Sequence, residues 1–124
     1  MTLLLVTALA GGLGGAARFL VDTALASVNR TALPLGTLVV NVSACLLLGL
    51  LTGYTLAHAH PGALTAVAGV GFLGGYSTFG TASVEALRLL RTGARGTAFV
   101  YAGGMLLGGL LASTLGLLLG GLLP

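Results

Sequence analysis

The sequence has no tryptophan and no lysine, one cysteine, Cys45, and two acids, Asp22 and Glu85. Each shortage removes a class of chemistry. A phosphate-binding loop needs its lysine, so none can be built here. One cysteine cannot close an intrachain disulfide, and Cys45 lies inside an apolar run, which argues against redox work. Charged residues make up 6% of the 124 and hydrophobic ones 56%. A soluble domain carries roughly 25% charged residues. Too few polar groups remain to cover a water-facing surface, and one domain is the only sensible count. The net charge of +3 does not point to nucleic acid, because no basic stripe lies on a soluble face. No nucleophile is grouped with a base, so the chain is not expected to be an enzyme.

What is abundant is glycine, 22 residues of it, spread through apolar segments. Glycine is frequent in membrane helices, where small residues let backbones approach. Four long segments emerge, at about 3–27, 33–57, 63–90 and 97–122. Each can span the ~30 Å hydrocarbon layer at ~1.5 Å rise per residue. Asn29-Arg30-Thr31 before Pro34, His58-Ala59-His60-Pro61-Gly62, and Thr92-Gly93 form the joints. The start, Met1 to Ala10, lacks a positive leader region and reads as the first helix, not a cleaved signal. The fold class is therefore an all-α membrane protein with four transmembrane helices. Small-xxx-small pairs recur at Gly11/Gly15, Gly49/Gly53, Gly71/Gly75, Gly104/Gly108 and Gly116/Gly120. They suggest close packing, although so many glycines produce such pairs by chance as well.

All five cations are arginines. Arg30, Arg88, Arg91 and Arg95 fall on the side of the first and third joints. The positive-inside rule then predicts one fixed orientation, with both termini outside the cytoplasm.

The third segment carries Gly71-Phe72-Leu73-Gly74-Gly75-Tyr76-Ser77-Thr78-Phe79-Gly80-Thr81. Its glycines and hydroxyls predict a broken helix near the midplane. Freed carbonyls there can hold a cation such as Na⁺, and half-helix N-termini favour anions. The simpler alternative is a glycine kink. Asn41, mid-span with Thr37 and Ser43 nearby, either lines a polar path or bonds to a neighbouring helix. Glu85, after Thr81 and Ser83, is a site candidate or an interfacial anchor beside Arg88. Arg18 and Asp22, four apart, share a helix face and can pair. The alternative is that Arg18 holds the broken segment.

Two imitations are set aside. Gly12-Leu13-Gly14-Gly15-Ala16-Ala17 resembles a dinucleotide fingerprint but has neither the following acid nor a βαβ setting. His58 and His60 do not share a helix face and lack a third ligand, so a metal site is not expected.

Taken together, these residues resemble the Fluc fluoride channels, the CrcB family. The likeness runs over nearly the whole chain. It rests on Gly12–Phe19, on Gly36-Thr37-Leu38-Val39-Val40-Asn41, and on Gly71–Phe79. It implies a dual-topology architecture, in which two four-helix subunits pair antiparallel and two fluoride pores run along their interface. It also implies a structural Na⁺, not transported, held by carbonyls at the breaks. By motif position Gly74 and Ser77 are the implied Na⁺ residues. Asn41, Phe79, Thr81, Ser83 and Tyr101 are the implied pore residues, with Arg18, Thr37, Thr78 and Glu85 as polar or structural support. The implied function is passive export that lowers cytoplasmic fluoride and confers fluoride resistance. The implied setting is the plasma membrane of a prokaryote, with lipid and a second chain as partners and no nucleic acid.

Two positions depart from the family pattern. Ala82 stands where a second pore phenylalanine falls, and Met105 where a pore serine falls. Together with the one-sided arginines, they lead to the expectation of one half of a heterodimer, with a homodimer as the alternative. A small multidrug-type proton-coupled exporter and a non-conducting partner subunit are the rival functions.

Overall fold

The structure, a computed structural model, describes residues 1–58 and 62–124. Among these all regular structure is helical. Helix α1 is Thr2–Val28 and α2 is Leu35–Ala57. Helix α3, Thr65–Leu73, is π-helical and runs directly into a single α-turn, Gly74–Tyr76. Helix α4 is Phe79–Arg91 and α5 is Arg95–Leu122. Of the expected His-Pro turn, Ala59, His60 and Pro61 lie outside the described residues.

Helices α1, α2 and α5 are long and apolar enough to cross a membrane. Their 27, 23 and 28 residues give lengths of about 35–42 Å at ~1.5 Å per residue. The chain is a multi-pass membrane protein. Its outer faces are apolar, as lipid requires: Leu4, Leu9, Leu13, Leu111 and Leu118 are all exposed.

Glycine decides how the helices meet. Helices α2 and α5 form the most extensive contact in the molecule. A Cβ on Gly49 or Gly53 would collide with the carbonyls of Ser113 and Leu117. A Cβ on Gly116 or Gly120 would collide with those of Leu46 and Leu50. The two small-xxx-small pairs therefore face each other, backbone on backbone. The other main contact sets α1 against α3 and its α-turn. There Gly71 meets Thr7, and Gly75 meets the Gly11 carbonyl. On α1 the tight residue is Gly14, against the Phe72 carbonyl, rather than Gly15, which has ordinary contact distance. Gly104 and Gly108 touch only side chains, of Leu38 and Val42.

Two buried clusters form around these contacts. One joins Val40, Ala44, Leu73 and Tyr76, the other Leu89, Ala98 and Tyr101. Between α4 and α5 the chain turns at Gly93, whose φ of 81° needs glycine. That tight turn starts α5 at Arg95 rather than near Thr97.

Candidate functional site

The helical run from Thr65 to Arg91 is interrupted at two residues. Ser77 (φ −73°, ψ 160°) and Thr78 (φ −152°, ψ 121°) are extended, and the helix resumes at Phe79. An extended pair strands backbone groups that need partners in a medium without water. Side chains from two other helices supply them. Asn41 of α2 donates through Nδ2 to the Thr78 carbonyl at 2.8 Å. It accepts from the Thr78 N–H through Oδ1, also at 2.8 Å. Arg18 of α1 donates from Nη1 to the Ser77 carbonyl at 3.3 Å. On the far side Thr78 caps α4, its Oγ1 accepting from the Thr81 N–H at 3.2 Å and donating to Thr81 Oγ1 at 3.1 Å.

This settles two open readings. Asn41 both bonds to a neighbouring segment and lines a cavity. The expected Arg18–Asp22 ion pair does not form. The two residues share a small pocket, but the recorded bond of Arg18 goes to Ser77. The carboxylate of Asp22 packs instead against Gly36, where no Cβ could be accommodated.

The remaining candidates divide between cavities. Asn41, Phe79, Ser83 and Tyr101 line one of about 500 Å³ between α2, α4 and α5, together with Ala82 and Met105. Thr37, Thr81 and Arg18 line a smaller one of about 170 Å³. Thr78 borders both. Phe79 is 88% exposed, so its ring points away from this chain's own core. Ser83 Oγ turns back to the Phe79 carbonyl at 2.9 Å. Met105 Sδ lies 3.4 Å from Asn41 Nδ2, a weak acceptor on the amide's second N–H.

Tyr101 connects the large cavity to the end of the bundle. It is 1% exposed, and its hydroxyl donates to Glu85 Oε2 at 2.7 Å. Glu85 in turn borders a groove beneath the α1–α2 connection. It is thus neither a free acid nor paired with Arg88. Gly74 lies on the exposed surface, in the α-turn before the break.

One partnership escaped the sequence reading. The buried Tyr76 lies 3.0 Å, hydroxyl to hydroxyl, from Ser43. A buried tyrosine hydroxyl needs a partner, and that requirement was the signal available.

A family model described as "CrcB-like protein, Camphor Resistance (CrcB)" matches residues 5–117. The chain belongs to the CrcB family. A relative from Cutibacterium acnes, named fluoride-specific ion channel FluC 2, is 47% identical over 97% of this chain and 98% of its own length. Another from Leifsonia xyli, named fluoride-specific ion channel FluC 1, is 45% identical over 95% of this chain and 86% of its own. One from Stutzerimonas stutzeri, named fluoride-specific ion channel FluC, is 41% identical over 88% of this chain.

Proposed function

We propose that this chain is a subunit of a fluoride channel that lets fluoride leave the cell passively. The observation that carries the reading is the Asn41–Thr78 clamp. It holds an interrupted helix, with its Thr78 backbone groups satisfied, beside a cavity bordered by Phe79, Ser83 and Tyr101. Kinship with proteins named fluoride-specific ion channels supports it. A pore for a small, strongly hydrated anion must replace water with donors. Hydroxyls can supply these once they rotate, the Ser83 hydroxyl leaving the Phe79 carbonyl that it now serves, and aromatic edges carry partial positive charge.

In this reading residues 65–91 make a fourth, broken membrane crossing. The channel is then completed by a second, antiparallel chain that meets the exposed Phe79 and Gly74. Gly74 would offer its carbonyl oxygen to a structural Na⁺, a hard cation suited to such ligands, and Ser77 would join through the lone pair of its carbonyl that Arg18 leaves free. The Thr78 N–H is engaged by Asn41 and so does not take up the Gly74 carbonyl. One chain supplies few ligands, so the donor set fits a site shared between two chains. Bound there, Na⁺ would neutralise carbonyl dipoles and join the two breaks.

Met105 on the Asn41 amide and the small Ala82 favour a heterodimer, in which this chain pairs with a related one of opposite orientation. The deciding experiment is fluoride efflux from liposomes, read with a fluoride electrode against a chloride control. Rapid fluoride-selective efflux from this chain alone supports the channel and removes the heterodimer. Efflux only after co-expression with a paralogous chain supports both. Silence in both preparations, with folded protein, removes the channel reading.

A further inference from the structure

One end of the molecule concentrates positive charge. Arg30 follows α1, Arg88 and Arg91 lie in the last turn of α4, and Arg95 begins α5. All four are exposed. Of the two carboxylate side chains, Asp22 packs against Gly36, and Glu85 accepts from the Tyr101 hydroxyl. Among the described residues no ion pair forms with any of the four arginines.

The same end carries a groove of about 390 Å³, bordered by Asn29, Thr31, Leu33, Pro34, Arg88 and Thr92. Its walls are half polar and half apolar in kind. Asn29 and Thr31 are held rigidly, with Asn29 Nδ2 donating to the Leu33 carbonyl at 2.7 Å and Thr31 Oγ1 donating to Asn29 Oδ1 at 2.8 Å. Beside it the first turn of α5 has neither a side-chain cap nor an acid, so its N–H groups keep their partial positive charge. The groove also has one opposing charge, Glu85, whose Oε2 accepts from Tyr101.

We propose that this groove, which Arg88 borders and which shares its end of the bundle with Arg30, Arg91 and Arg95, binds the headgroup phosphate of an anionic phospholipid. The location fits, because this end is where membrane-crossing helices stop and where headgroup phosphates reside. The charge fits, because juxtamembrane arginines attract anionic lipid surfaces and guanidinium forks match phosphate oxygens. The mixed lining fits a ligand that is polar at one end and apolar at the other. A bound lipid bridges the α1–α2 connection to the α4–α5 turn and so braces the end of the bundle.

The test is thermal unfolding of the purified chain in neutral detergent, with three additions compared. These are a short-chain phosphatidylglycerol, a phosphatidylcholine of the same chain length, and inorganic phosphate. Phosphatidylglycerol raises the midpoint, and the other two do not. Arg88→Gln and Arg91→Gln each weaken phosphatidylglycerol binding about fivefold, the factor for one arginine near an anionic surface. Each variant's shift is read against its own unliganded midpoint, because both arginines lie in the last turn of α4, where a cation favours the helix end. Should a variant fail to purify, the wild type is titrated at rising salt, where the phosphatidylglycerol shift shrinks as screening shortens. Equal stabilisation by both lipids overturns the proposal, as does a shift that ignores salt. A shift produced by phosphate alone overturns the lipid assignment in favour of a free-anion site. None of these readings depends on ion conduction, so failure of the channel reading leaves the lipid test intact.

Discussion

Replacing Asn41 with leucine tests the claim that a side chain, and not local sequence, holds the helix break. Leucine matches asparagine in size but offers no hydrogen bond. The Thr78 carbonyl and N–H each lose a 2.8 Å partner at once. A buried peptide group left unsatisfied costs about 1–3 kcal/mol. Both residues are only half-buried in the single chain, which lowers the figure. The expected loss for the pair is about 2–4 kcal/mol. Equilibrium unfolding in mixed detergent micelles, titrated with a denaturing detergent, measures it. Met105→Leu is the matched control. It removes only the 3.4 Å thioether contact, and such swaps cost less than about 1.5 kcal/mol. The two variants should therefore separate clearly. An Asn41→Leu protein within about 0.5 kcal/mol of wild type, the range of an ordinary surface change, refutes the clamp.

Four further outcomes follow from contacts elsewhere in the chain. Gly120→Ala places a methyl on the Leu50 backbone and should cost about 1–3 kcal/mol or abolish folding. Gly12→Ala, with nothing within 4 Å, should be neutral or stabilising by up to about 1 kcal/mol through helix propensity; the same unfolding titration compares them. Tyr101→Phe removes the 2.7 Å bond to Glu85 and should cost about 1.5–3 kcal/mol. That loss should shrink in a Glu85→Gln background, as a double-mutant cycle would show. Thr78→Val removes the cap on the Thr81 N–H and should cost about 1 kcal/mol, visible as faster amide exchange in the first turn of α4.

The helices themselves were legible because apolar length and joint residues carry that signal directly. The Gly49/Gly53 and Gly116/Gly120 pairs were legible for a related reason. A spacing of four puts both members on one face, and here those faces meet. At Gly11/Gly15 the spacing held for one member only, because periodicity names a face without saying which residues another helix will use. Gly11 meets Gly75 through its backbone, whereas Gly14, not Gly15, makes the other close approach. The π-helical form of α3 left no recognisable mark, since its i→i+5 bonding depends on how α1 seats Gly71 and Gly75. At the candidate site, residue types were readable and partners were not. Arg18 bonds to a residue 59 positions away and Asn41 to one 37 away. Sequence proximity offered Asp22 to the first and offered nothing decisive to the second.

These long separations bear on how the site can move. Arg18 and Asn41 come from different helices, yet they hold successive carbonyls, Ser77 and Thr78. The Thr78 N–H is held as well. Backbone rearrangement at the break must therefore give up three bonds reaching α1 and α2, and in a lipid setting water is not at hand to replace them. Rotation of the Phe79 ring, which is almost wholly exposed, gives up none of them. Displacement of Met105 gives up only the weak thioether contact. The energetics thus place the soft degrees of freedom in two side chains that border the large cavity and the hard ones in the backbone between its helices. A relative motion of α1 and α2 would strain the clamp from both ends. The close approach of Asp22 on α1 to Gly36 on α2 opposes that motion, so the rigidity of the break rests on the same kind of glycine packing that builds the bundle.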